Sequence, residues 1–149
     1  MSPRRTWTEL FFLDEPTAFA AGHRPCATCR SADYRRFRAL WETVHPADEP
    51  GADAIDRRLH AERARGRAKR TARVELAGLP DGAMVARGGT AWLVQDRHLL
   101  EWSPAGYLAR VPRPAGGSID LLTPLSVVDV FRAGYRPVPH PSVRSVGQR

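Results

Sequence analysis

Apolar positions in the first half of the chain recur at helical spacing. Phe37, Leu40, Trp41 and Val44 share one face of a helix expected over residues 31–44, and Ile55 and Leu59 share a side of the next helix. Polar and special residues punctuate these segments. Asp14 is placed to N-cap a short helix over about residues 15–21, with Pro16 in its first turn and Gly22 at its end. Ser31 is expected to cap the second helix, and Asp33 lies near that helix's positive end. Residues 45–52 form a loop of proline, glycine and acids. Asp53 then caps a third helix, which should fray or bend at Gly66. Ahead of all these, residues 9–13 read as a short buried strand, apolar and aromatic.

From Val74 onward the period shortens. Residues 83–86, 90–95, 98–102 and 118–122 read as strands, with Gly88-Gly89 and Asp96-Arg97 as tight hairpin turns. Leu79-Pro80-Asp81-Gly82 is a turn, and residues 103–117 are expected to be a Pro/Gly-rich connection. Thr123 caps a last helix beginning at Pro124, with Val127, Val128 and Phe131 inward and Gly134 ending it. The proline-rich tail from Pro137 should be extended. The pattern predicts an α+β fold: a helical N-terminal half, then a small antiparallel sheet closed by a C-terminal helix. Residues 1–149 are expected to form a single domain. Its parts are a strand-helix-turn-helix unit over 9–45, a basic helix and linker over 53–73, sheet plus helix over 74–136, and the tail over 137–149.

At 149 residues and 42% hydrophobic, the chain suffices for one real core. Leu10-Phe11-Phe12-Leu13 is too short for a secretory h-region and is flanked by acids. No segment approaches the length of a membrane span. The expected location is the cytoplasm of a bacterium, where thiols stay reduced.

Both cysteines of the protein, Cys26 and Cys29, lie in the turn before the second helix. A Cys-x-x-Cys turn grips a metal, cycles as a dithiol, or packs as a plain turn. A disulfide across so small a loop is a poor structural staple. The surrounding residues add a resemblance. Glu9-Leu10-Phe11-Phe12, the Ala-rich helix ending in Ala20-Ala21, and Gly22-His23-Arg24-Pro25-Cys26-Ala27-Thr28-Cys29-Arg30 stand in that order. Residues 9–30 thus resemble the zinc-binding domain of Ada-type DNA methyl-phosphotriester repair proteins. The resemblance implies zinc, with Cys26 and Cys29 as the second of two ligand pairs. In that family the first pair lies upstream of the strand, and one of its members accepts the methyl group. Residues 1–8 hold no cysteine. The family's methyl transfer is therefore not expected here, and a first pair would have to lie upstream of residue 1. Zinc takes four ligands in structural sites, and mixed Cys/His sets are common. His23, His45 and His60 are the candidates to join the thiols.

A second constellation uses the same thiols. His60-Ala61-Glu62 and Pro25-Cys26-Ala27-Thr28-Cys29 are the pieces of the zinc-deaminase signature, in which His and two Cys hold zinc and Glu moves protons. Here they occur in the reverse order. A deaminase-like hydrolase using Cys26, Cys29, His60 and Glu62 is the alternative this suggests, and a metal-free protein-interaction module is another.

Charge is distributed very unevenly along the chain. The chain carries a net +7, and Lys69 is its only lysine. Arg57, Arg58, Arg63, Arg65, Arg67, Lys69, Arg70 and Arg73 face only Glu62 within residues 57–73, so this block alone carries +7 and the rest is neutral. Charge this concentrated is an electrostatic footprint for a polyphosphate, and DNA or RNA is the expected partner. No helix-turn-helix or aromatic RNA-binding run accompanies it. Trp41, Trp92, Trp102 and Tyr107 have the chemistry to stack on bases, but their spacing favours core packing.

Overall fold

The structure is a computed structural model. It describes residues 13–48, 51–67 and 72–146; the side chains of residues 63–67 lie outside the description. The expected strand over residues 9–13 falls outside it except for Leu13, which is partly buried against the sheet.

Helix α1 spans Glu15–Ala20. Asp14 caps it, its carboxylate accepting the Thr17 backbone N–H at 3.1 Å. At the other end Gly22 adopts φ +88°, a conformation open to glycine, and its N–H donates to Phe19 O while that of His23 donates to Ala18 O. This double bond stops the helix and aims the chain into the cysteine turn. Helix α2 spans Ser31–Val44, as its periodicity predicts, and buries Tyr34, Phe37 and Trp41. The cap differs from expectation. Arg30 holds the N-cap position and makes no side-chain capping bond, while Ser31 is already helical. Helix α3 spans Ala52–Arg67, so Asp53 lies inside its first turn and the helix continues through Gly66. One glycine costs about 1 kcal/mol, too little to end a helix held elsewhere by Ile55 and Leu59 in the core.

Six antiparallel strands follow: β1 Ala72–Glu75, β2 Met84–Arg87, β3 Thr90–Gln95, β4 His98–Ser103, β5 Gly106–Pro112 and β6 Ser118–Leu121. Their order is β1-β6-β2-β3-β4-β5. Two strands went unread in the sequence. β5 lies in the stretch expected to be a connection, where Tyr107 opposes Trp102 and Leu99 opposes Val111. β1 lies at the sheet edge against β6, with Val74 opposite Ile119.

Both faces of the sheet are covered, which explains the nearly continuous apolar runs. Val85, Val94, Leu99 and Leu121 face one way, toward Val128. Met84, Leu93, Leu100 and Trp102 face the other way, where Leu13, Ala20, Val143 and Val146 pack. Helix α4, Leu125–Arg132, joins sheet to helices. Its Val128 meets the sheet, whereas Val127, Val130 and Phe131 enter a helical cluster with Phe19, Phe37, Trp41, Ile55, Leu59 and Tyr135. Rings in that cluster meet edge to face, Phe19 with Phe131 at 5.1 Å and Phe37 with Tyr135 at 5.5 Å.

The N-cap position of α4 belongs to Pro124, not Thr123. The Thr123 hydroxyl instead accepts the Met84 N–H at 2.8 Å. The tail is also less extended than expected. It bends into a 3-10 turn over Pro141–Arg144 because acids of α1's entrance hold it. Asp14 accepts the His140 N–H, and Glu15 accepts the Val138 N–H.

Candidate functional site

The cysteine turn leaves the core between α1 and α2 and is fixed on both sides by arginines. Arg24, before it, forks onto Asp56 of α3 at 3.0 and 3.2 Å, lies over the Tyr34 ring at 5.2 Å, and donates to Pro25 O at 2.8 Å. Arg30, after it, reaches the buried Glu15 carboxylate at 2.7 Å and also pairs with Asp33. Glu15 in turn accepts the Tyr135 hydroxyl at 2.7 Å, tying the turn to the C-terminal segment. The Arg30 bond holds the Asp33 carboxyl below its ordinary range.

Within this frame both cysteines are exposed, reduced and close. The Cys29 backbone N–H donates to Cys26 Sγ at 3.2 Å. The Arg30 N–H donates to Cys26 O, closing the turn into α2. The two thiols are therefore unequal. Backbone N–H groups of Cys29 and Thr28, with the Cys29 side chain and the Arg24 charge adding to them, pull Cys26 below the ordinary thiol range. The hydrogen bond from Cys29 to Cys26, and the repulsion of a neighbouring thiolate, push Cys29 above it. Sequence reasoning placed the pair, but the asymmetry follows only from which sulfur receives the amide.

The other candidate ligands are elsewhere engaged or exposed. His45 Nε2 lies 3.0 Å from Ser126 O, and its ring sits against Trp41. His60 and His23 are exposed. Glu62, the proton carrier of the hydrolase alternative, bonds Ser126 and Arg58. Among the described residues no group of three or more His, Cys, Asp or Glu side chains is arranged to hold a metal ion. On this part of the chain zinc finds two thiols, half the set of a structural site. The structure does not bring Cys26, Cys29, His60 and Glu62 into one centre.

The basic segment is described only at its ends. Arg58 is engaged by Asp48 at 2.8 Å and Glu62 at 2.9 Å, and Arg73 by Asp120 at 3.0 Å. Arg57 is exposed on α3. The side chains of Arg63, Arg65, Arg67, Lys69 and Arg70 lie outside the described residues. Trp41, Trp102 and Tyr107 are core residues, each no more than 6% exposed. Trp92 is half-buried, with Arg87 over its ring. Among the described residues no helix is long and apolar enough to cross a membrane. Comparison with protein-family models, curated proteins and solved structures gives no match.

Proposed function

We propose that the chain binds nucleic acid through the segment of residues 57–73. The observation that carries this reading is the charge distribution. Eight basic residues stand against one acid there, and the segment holds the entire net charge of the protein. Arginine supplies seven of the eight, and its planar fork suits phosphate oxygens. Arg58 and Arg73 each also pair with an acid, so their phosphate contacts compete with Asp48, Glu62 and Asp120. With Trp41, Trp102 and Tyr107 buried and the half-buried Trp92 ring covered by Arg87, the reading is one of backbone contact with little sequence preference. The Ada-like resemblance of residues 9–30 agrees with a DNA partner. Residues 1–8 hold no cysteine, and the reading is of binding alone.

Anisotropy titrations of a labelled DNA duplex and a labelled single-stranded RNA across a salt series test this. Affinity should fall steeply between about 50 and about 200 mM salt. On the duplex, Arg63→Ala/Arg67→Ala/Arg70→Ala should flatten the log–log salt slope by roughly 2–3. Wild-type affinity in the triple variant at moderate salt refutes the proposal.

A further inference from the structure

The cysteine turn has chemistry that the basic segment does not use. We propose that Cys26 and Cys29 form a dithiol site that reduces exposed disulfides, Cys26 attacking and Cys29 resolving. Three features of the turn converge. Both thiols are exposed, so a disulfide in solution can approach them. They lie close enough for the Cys29 amide to donate to Cys26 Sγ at 3.2 Å. The turn that holds them is braced by Arg24 on Asp56 and by Arg30 on Glu15, so the attacking sulfur is presented without reordering the chain. The amide bond also fixes the direction of the reaction. A sulfur that accepts N–H groups at a helix entrance is the better thiolate, and its neighbour is left as the second nucleophile.

The steps balance. The Cys26 thiolate attacks one sulfur of a substrate disulfide, forming a mixed disulfide and releasing the other sulfur as a thiolate. Cys29 loses its proton to solvent and attacks Cys26 Sγ. The Cys26–Cys29 disulfide forms, and the second substrate thiolate leaves. The protein gives up two electrons and the substrate gains them; two protons complete two substrate thiols. Excess thiol reverses the sequence and resets the pair. Closing so short a loop adds little stability to the protein, which makes the disulfide easy to reopen rather than structural.

Reduced full-length protein is mixed with glutathione disulfide under argon, and the products are read by intact mass and peptide mapping. Wild type should lose two hydrogens and carry no glutathione. Cys29→Ser should trap one glutathione on Cys26. Cys26→Ser should react at least about tenfold more slowly than Cys29→Ser near neutral pH. Both side chains are exposed, and the fold of each variant is checked by its denaturation curve. If a variant misfolds, mapping the wild-type mixed disulfide after a millisecond acid quench keeps the test alive, since it must sit on Cys26. Equal rates at the two positions overturn the proposal, as does glutathione accumulating on both without ring closure. One zinc held by the thiols of freshly purified protein after dialysis overturns it too. Salt-dependent DNA binding is read on the same samples; it fails or survives independently of the thiol result.

Discussion

The Glu62 carboxylate accepts both the backbone N–H and the hydroxyl of Ser126, at 3.3 and 3.1 Å. Ser126 is the second residue of α4, so a side chain from α3 caps a helix more than sixty residues further along. Arg58 holds the same carboxylate from the other side at 2.9 Å. This explains how α4 starts without a capping side chain of its own at Pro124. It also gives Glu62 a structural task in place of proton transfer.

Glu62→Ala should therefore destabilise the fold. Loss of a cap and of a charge-assisted bond costs about 1–2 kcal/mol, read as a lower midpoint in urea with an unchanged m-value. The reactivity of Cys26 should not change. An Ala variant as stable as wild type refutes the capping role.

Helices were legible in the sequence where local signals agreed. Asp14, Pro16 and Gly22 bracket α1, and the Phe37–Trp41–Val44 stripe fixes α2. What could not be read was set by partners distant in the chain. The cap of α4 comes from Glu62, and the bend of the tail comes from Asp14 and Glu15. β5 was hidden because Gly106 and Pro112 bound it, residues that locally signal a loop; pairing with β4 overrides them. At the cysteine turn, residue type and spacing were visible. The arginine braces were not, because Arg24 and Arg30 each lie far in sequence from the acid they pair with.

Gly82 marks where the tail crosses the sheet. It has φ +98°, and a Cβ there would lie 2.9 Å from Pro137 Cδ and closer still to Cγ. The proline ring is rigid and buried, so it cannot swing aside. Gly82→Ala should cost roughly 2 kcal/mol or more, adding the strain of a positive φ to the clash. Thermal denaturation reads this directly. Gly88→Ala is the control: φ is also positive, at +59°, but nothing lies within 4 Å of a Cβ there. It should lose less.

Two tyrosines make stability sensitive to alkali. Burial, then the neighbouring Asp14 carboxylate, pushes Tyr107 far above the ordinary phenol range; burial, then Glu15, does the same for Tyr135. Both hydroxyls donate to those acids at 2.7 Å. The folded state keeps protons that the unfolded chain gives up near pH ~10. Stability from this source is thus complete below about pH 10 and falls as pH rises beyond it. Tyr107→Phe/Tyr135→Phe should be less stable at neutral pH, by about 1–3 kcal/mol for each bond lost to a carboxylate. Its urea midpoint should decline less steeply above about pH 10. Parallel declines for the variant and wild type would count against the assignment.

Cys26 and Cys29 should separate cleanly in a pH–alkylation profile. The amides of Cys29 and Thr28 stabilise a thiolate at Cys26, while Cys29 gives its own hydrogen bond to that sulfur and must ionise beside it. Pulse alkylation with iodoacetamide followed by peptide mapping should label Cys26 first, with its midpoint below the ordinary thiol value and that of Cys29 above it. Arg24→Ala tests what the brace adds. It removes a nearby positive charge and the fork onto Asp56, so the Cys26 midpoint should move upward. The shift should be small, because the amides come first among the causes and the site is open to screening water. Cys29 should move little, since Arg24 is not among its influences. The order of labelling must survive in the Arg24 variant. If it reverses, the arginine charge rather than the turn's amides sets which sulfur attacks, and the polarity of the dithiol has been assigned to the wrong cause.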